Sequence, residues 1–285
     1  MSDPADAGLG EPAPLPRQVF PAPEPAQPQT GLRRLSGQVA IDVLIALLVM
    51  LAASIAAGAA WAAWRIAAAI AGNGGQAVEA DRLAAAIGDP GALAQILMAI
   101  ASMATPALVL YFWRRRATAA ERHDSWRAAR TPSTWAWTAL VAGLVFGGSS
   151  LASGLMQMAG VEPVPTNLAM VEEASRRWPV FLFLFAVVLA PVYEELLFRR
   201  VLFGRFVAAG RPWLGLVVSS LAFALMHEIP GVSANPPGAV AMLLVVYAGM
   251  GAAFAWVYHR TGTLWAPIVA HGLNNAVALL VHGLL

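Results

Sequence analysis

Four polar side chains stand out in an otherwise apolar chain: Glu194, His227, His271 and Asn275. A glutamate can take a proton from water. An imidazole can hold that water, and an imidazole or an amide can donate to a developing oxyanion. Together these types suit hydrolysis of a peptide bond. Glu194 would be the general base, His227 would help hold the water, and His271 and Asn275 would donate to the tetrahedral intermediate. Alternatively, Glu194, His227 and His271 would bind Zn²⁺, whose catalytic sites use three protein ligands plus water. There is no His-Glu-x-x-His run, so the usual zinc-helix spacing is absent. The residue types do not decide between the metal-free and the zinc-bound version.

Glu194 has a neighbour that complicates the reading. The stretch "LAPVYEELLFRR" carries two glutamates and two arginines directly after an apolar run. Glu195 and Arg199 are i and i+4 on a helix, with the glutamate N-terminal, the favourable order for an ion pair. Such a pair lets both groups be buried, although desolvation means it need not add net stability. Glu194 is rotated about 100° from Glu195. One carboxylate is therefore expected to have a local partner, leaving the other to face the chemistry. His271 and Asn275 also share a face at i and i+4, and so do Phe223 and His227, with the ring beside the imidazole. A proline lies near each cluster: Pro191, Pro230 and Pro267. Kinked helices at membrane depth are tolerated where they line a polar cavity.

The elements that must position these groups are apolar and long. The chain of 285 residues is 59% hydrophobic and 12% charged, with mean hydropathy +0.64, against about 25% charged for a soluble domain. The expected fold is all-α, a polytopic transmembrane helix bundle of about seven to eight spans. Spans are read at 43–64, 92–113, 135–158, 179–201, 213–230, 239–258 and 264–284. Residues 1–37, rich in Pro, Ala and Gln, read as a disordered leader and not as a cleaved signal peptide. Residues 38–160 read as N-terminal transmembrane helices and 161–285 as the catalytic helical core.

All 18 basic residues are arginines. Of these, 14 fall on one side if the N-terminus is cytoplasmic, which makes N-in the expected orientation. With the alanine and glycine content, the absence of lysine points to a GC-rich genome and a bacterial inner membrane. A net charge of +2 argues against nucleic acid as a partner. The absence of cysteine excludes disulfides, thiolate catalysis and thiolate metal sites. The basic segment 114–131 is expected to set topology and touch anionic headgroups. The connections 66–91 and 159–178 are expected to carry short amphipathic helices. On the 179–201 boundary, Glu194 and His227 would lie at different depths. The amphipathic "RRVLFGRF" suggests that the fourth helix runs on past Arg205, bringing Glu194 to its middle.

Taken in order, Glu-Glu-x-x-x-Arg at Glu194–Arg199, Phe-x-x-x-His at Phe223–His227 and His-x-x-x-Asn at His271–Asn275 resemble the three motifs of the CPBP family. This is the CAAX protease and bacteriocin-processing family of intramembrane proteases. The resemblance covers about residues 179–284. It implies that Glu194, His227, His271 and Asn275 form the catalytic site, supported by Glu195 and Arg199. Its eukaryotic members trim the last three residues of prenylated CAAX proteins. Its bacterial members are implied to be peptidases or bacteriocin-immunity proteins. Eight spans are usual among the CAAX-trimming members, against the seven drawn here.

The expected partners are a peptide or protein substrate at the membrane and the lipid bilayer. One rival is a non-catalytic immunity or scaffold protein that binds a peptide in the same cavity. A proton-coupled transporter with Glu194 and the histidines as a relay is the other, although no internal repeat supports it. His123, His259 and His282 read as surface residues, Glu228 as a solvated carboxylate at a helix end, and Asn274 as a packing residue. Arg200 reads as a marker of the cytoplasmic end.

Overall fold

The computed structural model describes residues 31–74, 78–161 and 164–284. Every regular element among them is a helix: α1 Leu32–Gly72, α2 Ala80–Ile87, α3 Ala92–Arg114, α4 Ala119–Ala129, α5 Pro132–Met158, α6 Leu168–Arg177, α7 Pro179–Ala208, α8 Pro212–His227, α9 Pro237–Thr261 and α10 Trp265–Val281. Helices α1, α3, α5, α7 and α9 are long and apolar enough to cross a bilayer, and α8 and α10 are shorter apolar helices. These seven correspond to the seven spans read from the sequence, in a polytopic helical bundle. Helix α1 begins at Leu32 and not near Val43, so residues 32–37 of the expected leader are helical. Residues 1–30 of that leader lie outside the described residues. Two of the remaining helices, α2 and α6, occupy the connections expected to carry short amphipathic helices.

Local chemistry starts and stops these helices. Proline opens α5, α7, α8 and α9, where its fixed φ suits the first turn and its missing N–H costs nothing. Thr118 and Glu121 form a reciprocal capping box at the start of α4. Helix α9 ends at Gly262 with φ +70°, the left-handed position that favours glycine.

Helix α7 is the axis of the fold. It runs unbroken from Pro179 to Ala208, past Arg205 as the amphipathic tail suggested, and Glu194 sits midway along it. Two stretches of it, Leu184–Leu189 and Leu196–Phe203, are wound as π-helix. Such wide turns often mark functional positions. Its residues contribute to both buried apolar clusters. Phe198, Leu202 and Phe206 pack with residues of α5, α8, α9 and α10, while Leu182, Phe185, Ala190 and Tyr193 pack with residues of α3, α6 and α10.

The other charges on and around α7 are tied down too. Asp42 of α1 is buried and accepts from Arg114 of α3, at 2.7 Å, and from Arg205 of α7. Arg200 does more than mark an end. It donates to both carboxylate oxygens of Glu121, at 3.0 and 2.8 Å, and to the Arg115 carbonyl, so it pins α4 to α7. This pairing accounts for the Glu121 carboxyl, which is held down at about 2, chiefly by the hydrogen bond from Arg200.

Candidate active site

Pro191 shapes the local backbone on which the site stands. In the π-wound stretch before it, the Ala190 N–H donates to the Phe185 carbonyl, five residues back. The next bond in that pattern would run from residue 191 to Ala186, but proline has no N–H. The Ala186 carbonyl instead accepts from Asn275 Nδ2 of α10 at 2.8 Å. One turn earlier on α10, Gly272 lies against the same stretch, where a Cβ would sit 2.5 Å from the Val187 carbonyl oxygen. Only glycine permits that approach without a shift. A freed carbonyl and an absent side chain thus set the height of α10 against α7.

That height brings His271 to Glu195. His271 Nδ1 lies 2.9 Å from Glu195 Oε1 in a buried contact. A carboxylate only accepts, so His271 donates through Nδ1–H, which leaves the Nε2 lone pair free in the neutral ring. The other oxygen of Glu195 pairs with Arg199 Nε at 2.9 Å, and both residues are fully buried. Arg199 Nη2 reaches the Gly251 carbonyl of α9 at 3.3 Å, and its guanidinium lies over the Phe223 ring at 4.7 Å. Glu195 therefore bridges a cation on one side and an imidazole on the other. The i, i+4 spacing announced the first partner. The second lies 76 residues away and had no local signal.

His227 is set by a different device. Its Nδ1 lies 2.8 Å from the Phe223 carbonyl in its own helix, α8. A carbonyl also only accepts, so Nδ1 carries the proton and Nε2 presents a lone pair. The ring is held between Phe223, at 4.3 Å, and Tyr247, at 4.7 Å. Phe254 stacks on His271 at 4.8 Å with an interplanar angle of 18°. Tyr247, Gly251 and Phe254 were not singled out in the sequence. They are i, i+4 and i+7 on α9, one helical face, and that spacing was the available signal.

Glu194 faces both imidazoles. Its Oε2 lies 3.8 Å from His227 Nε2 and 4.0 Å from His271 Nε2. The oxygen is buried and has no hydrogen-bond partner within the protein. A carboxylate oxygen and two imidazole lone pairs therefore converge on one point. All three are acceptors, so only a donor or a cation can satisfy them together. A water molecule, with two hydrogens, donates to two of the three at once, Glu194 and one imidazole, and such a site holds water when two to four polar partners surround it. The donor types also suit Zn²⁺. However, among the described residues no group of three or more His, Cys, Asp or Glu side chains is gathered closely enough to hold a metal ion. Asn275 lies one turn after His271 on α10. Its Oδ1 accepts from Asn274 Nδ2 at 3.3 Å, and one of its two amide hydrogens goes to Ala186.

The structure thus brings Glu194, His227, His271, Glu195, Arg199 and Phe223 into one cluster, while the contacts of Asn275 are with Asn274 and the Ala186 carbonyl. His123, His259 and His282 are exposed and stand apart from it. Glu228 differs from the expectation of a solvated carboxylate. It is fully buried and accepts from Thr166 at 3.0 Å and from Asn235 Nδ2 at 3.1 Å. It ties the loop after α8 to the segment before α6. One partner, Asn235, lies seven residues on in the same loop, and the other, Thr166, lies 62 residues back, so no helical spacing around residue 228 pointed to burial.

This geometry coincides with sequence kinship. Residues 176–277 match the family described as Type II CAAX prenyl endopeptidase Rce1-like. The three motifs and their cluster all lie within that stretch. That match supports the CPBP family, whose three motifs these residues resemble. The membrane-embedded CAAX protease MroQ of Staphylococcus aureus (strain USA300) is 32% identical over 132 residues, covering 44% of this chain and 49% of its own. A Bacillus subtilis (strain 168) chain named "Putative membrane peptidase YdiL" is 25% identical over 122 residues, covering 43% of this chain and 45% of its own. The UPF0177 protein YaiH of Lactococcus lactis subsp. lactis (strain IL1403) is 33% identical over 100 residues, covering 35% of this chain and 37% of its own. The chain thus spans about half the length, or less, of the curated relatives it matches. No solved structure matches it. The apolar helices, together with the membrane proteases among its relatives, support an integral membrane protein.

Proposed function

We infer that the chain is an intramembrane endopeptidase that hydrolyses a peptide bond of a membrane-associated protein or peptide, with Glu194 activating the attacking water. One observation carries this reading: Glu194 Oε2 is buried, unpartnered and faced by two imidazole Nε2 lone pairs. A water at that point donates one hydrogen to Glu194 and the other to an imidazole. Its oxygen is then free to attack the scissile carbonyl carbon while Glu194 takes the proton. The carbonyl π electrons move to oxygen, and the second amide hydrogen of Asn275 is available to that oxyanion. Collapse expels the amine, which takes the proton held by Glu194. The sequence suggested His271 as an oxyanion donor. Its bond to Glu195 instead favours water as its partner, since Nε2 presents a lone pair. The name of the S. aureus relative, a CAAX protease, supports the reaction class. The arginine distribution supports an N-terminus on the cytoplasmic face of a bacterial inner membrane.

The test compares the purified full chain with Glu194→Gln, in lipid, against a peptide identified by proteomic comparison of cells expressing each form. Cleavage should fall by about 10²–10⁴-fold, the range of a lost general base, with an unchanged thermal midpoint. Full activity in Glu194→Gln overturns the mechanism. Retained bacteriocin protection by that variant, without cleavage, favours an immunity protein. Elemental analysis and chelator treatment of the wild type run in parallel. Stoichiometric zinc whose removal abolishes cleavage assigns the three acceptors to a metal.

A further inference from the structure

A cavity of about 860 Å³ lies away from this cluster, at the arginine-rich end of the bundle. That is within the range of small-molecule sites, ~300–1,000 Å³. Helix α4 roofs it, docked through the Arg200–Glu121 pair described above. Its floor is apolar, with Leu196 and Phe203 of α7, Leu264 and Ile268 at the start of α10, and Trp126 of α4 lying edge-on to Trp265 at 6.4 Å.

Five charged side chains line it: Arg115, Arg122, Arg200, Glu121 and Asp124, with His259 beside them. Arg200 is neutralised by Glu121. Asp124 lies 3.9 Å from Arg127 and 3.7 Å from His123. Two guanidiniums remain without a carboxylate. Arg122 Nη1 donates only to the Ala117 carbonyl, and Arg115 Nη2 only to the Gly204 carbonyl, at 3.0 Å. Arg115 Nε is buried with no partner at all. Burial pushes the Arg115 guanidinium down from its ordinary value, the nearby Arg200 and Arg205 add to this, and the Glu121 carboxylate only partly opposes it.

We propose that this cavity binds one anionic phospholipid, its headgroup on Arg115 and Arg122 and an acyl chain over Leu196, Phe203 and Ile268. Charge complementarity selects the anion, since the two uncompensated cations flank an apolar floor. Basic pockets between transmembrane helices bind anionic headgroups by this same combination. Because Leu196 follows Glu195 directly, and Ile268 lies one turn before His271, an occupying chain touches both helices that carry the site. The bound lipid would therefore hold α4, α7 and α10 together, whatever reaction the cluster performs.

The experiment uses the full chain in neutral detergent, read by native mass spectrometry and thermal unfolding. The probes are phosphatidylglycerol, phosphatidylcholine and inorganic phosphate. One phosphatidylglycerol per chain should be retained and should raise the unfolding midpoint in a concentration-dependent way. Arg122→Glu removes a headgroup contact at an exposed rim position, and Ala208→Trp fills the cavity from another exposed position. Each should weaken phosphatidylglycerol retention by at least about fivefold, the factor expected from one interfacial arginine. Arg122→Ala serves as a milder second variant should the charge reversal unfold the chain. Equal retention of phosphatidylcholine overturns the proposal. So does an equal effect of inorganic phosphate alone, or unchanged retention in both cavity variants.

Discussion

Helices α1 and α7 look alike as sequence segments and behave as opposites in the structure. Both are apolar, and both are long enough to span a bilayer. Yet Leu35 and Asp42 are the only buried residues of α1, and Leu44, Leu48, Leu51 and Ile55 are exposed along it. Helix α7 buries Tyr193, Glu195, Phe198 and Arg199 and contributes to both apolar clusters. Apolar character alone therefore does not say which helix is central. Lipid tails are as apolar as leucine, so a leucine gains little by leaving them for protein. A carboxylate or guanidinium gains a great deal. The helix with charges along its middle is pulled to the centre, and the helix whose middle stretch, 43–64, carries none is left facing lipid.

The comparison can be broken most sharply on α7. Arg199→Ala leaves Glu195 buried beside His271 without its cation. It should cost about 3–5 kcal/mol of stability, seen as a lowered unfolding midpoint, with cleavage lost alongside. A midpoint within error of wild type removes the buried pair from any structural role. Glu194→Gln is its counterpart, since it should cost activity without stability. If the two variants behave alike, the division of labour between adjacent carboxylates fails.

Gly272→Ala tests the packing that joins α10 to α7. Its Cβ would meet a backbone oxygen, and overpacking of this kind costs about 1–3 kcal/mol. Thermal unfolding and cleavage should both decline, since His271 follows the backbone. Retained wild-type values in both readouts mean that the Val187 carbonyl yields and does not set the height of α10.

A smaller effect should appear at the end of α7. The Glu121 carboxyl is held at about 2 against an ordinary 4.5. A lowered value of this kind stabilises the fold in full above about pH 4.5, and its contribution fades as pH falls toward 2. Glu121 is half-exposed, so the contribution is screened and stays within the ~1 kcal/mol of exposed ion pairs. Wild type should lose slightly more stability than Glu121→Gln between those two pH values, and equal slopes would contradict the pairing. The smallest change belongs to α1. Leu48→Ala, on the exposed face, should shift stability by no more than about 0.5 kcal/mol. A loss of 2 kcal/mol or more there would show that α1 packs against something besides lipid.

Much of this was legible from residue order. The spans followed from composition, because a bilayer demands long apolar helices with internally satisfied backbones. The Glu195–Arg199 pair followed from i, i+4 spacing. The extension of α7 beyond Arg205 followed from the need to bring Glu194 and His227 to one depth. Other features had no local trace. Asp42 lies just before the first span read from the sequence, and nothing near it in the chain marks Arg114 and Arg205 as its partners. Glu228 looked like a helix-end carboxylate until Thr166 and Asn235 closed over it.

Sequence by itself determined the membrane-spanning helical class, the division of two adjacent glutamates by helical phase, and the types of side chain available for chemistry. Tertiary structure alone decided what those side chains point at. His271 reaches Glu195 because Asn275 takes the Ala186 carbonyl that Pro191 leaves unpaired, and because Gly272 lets α10 approach. Neither contact can be read from spacing. Helical periodicity fixes directions within one segment, whereas the height and rotation of one helix against another depend on which buried polar groups find each other across the bundle.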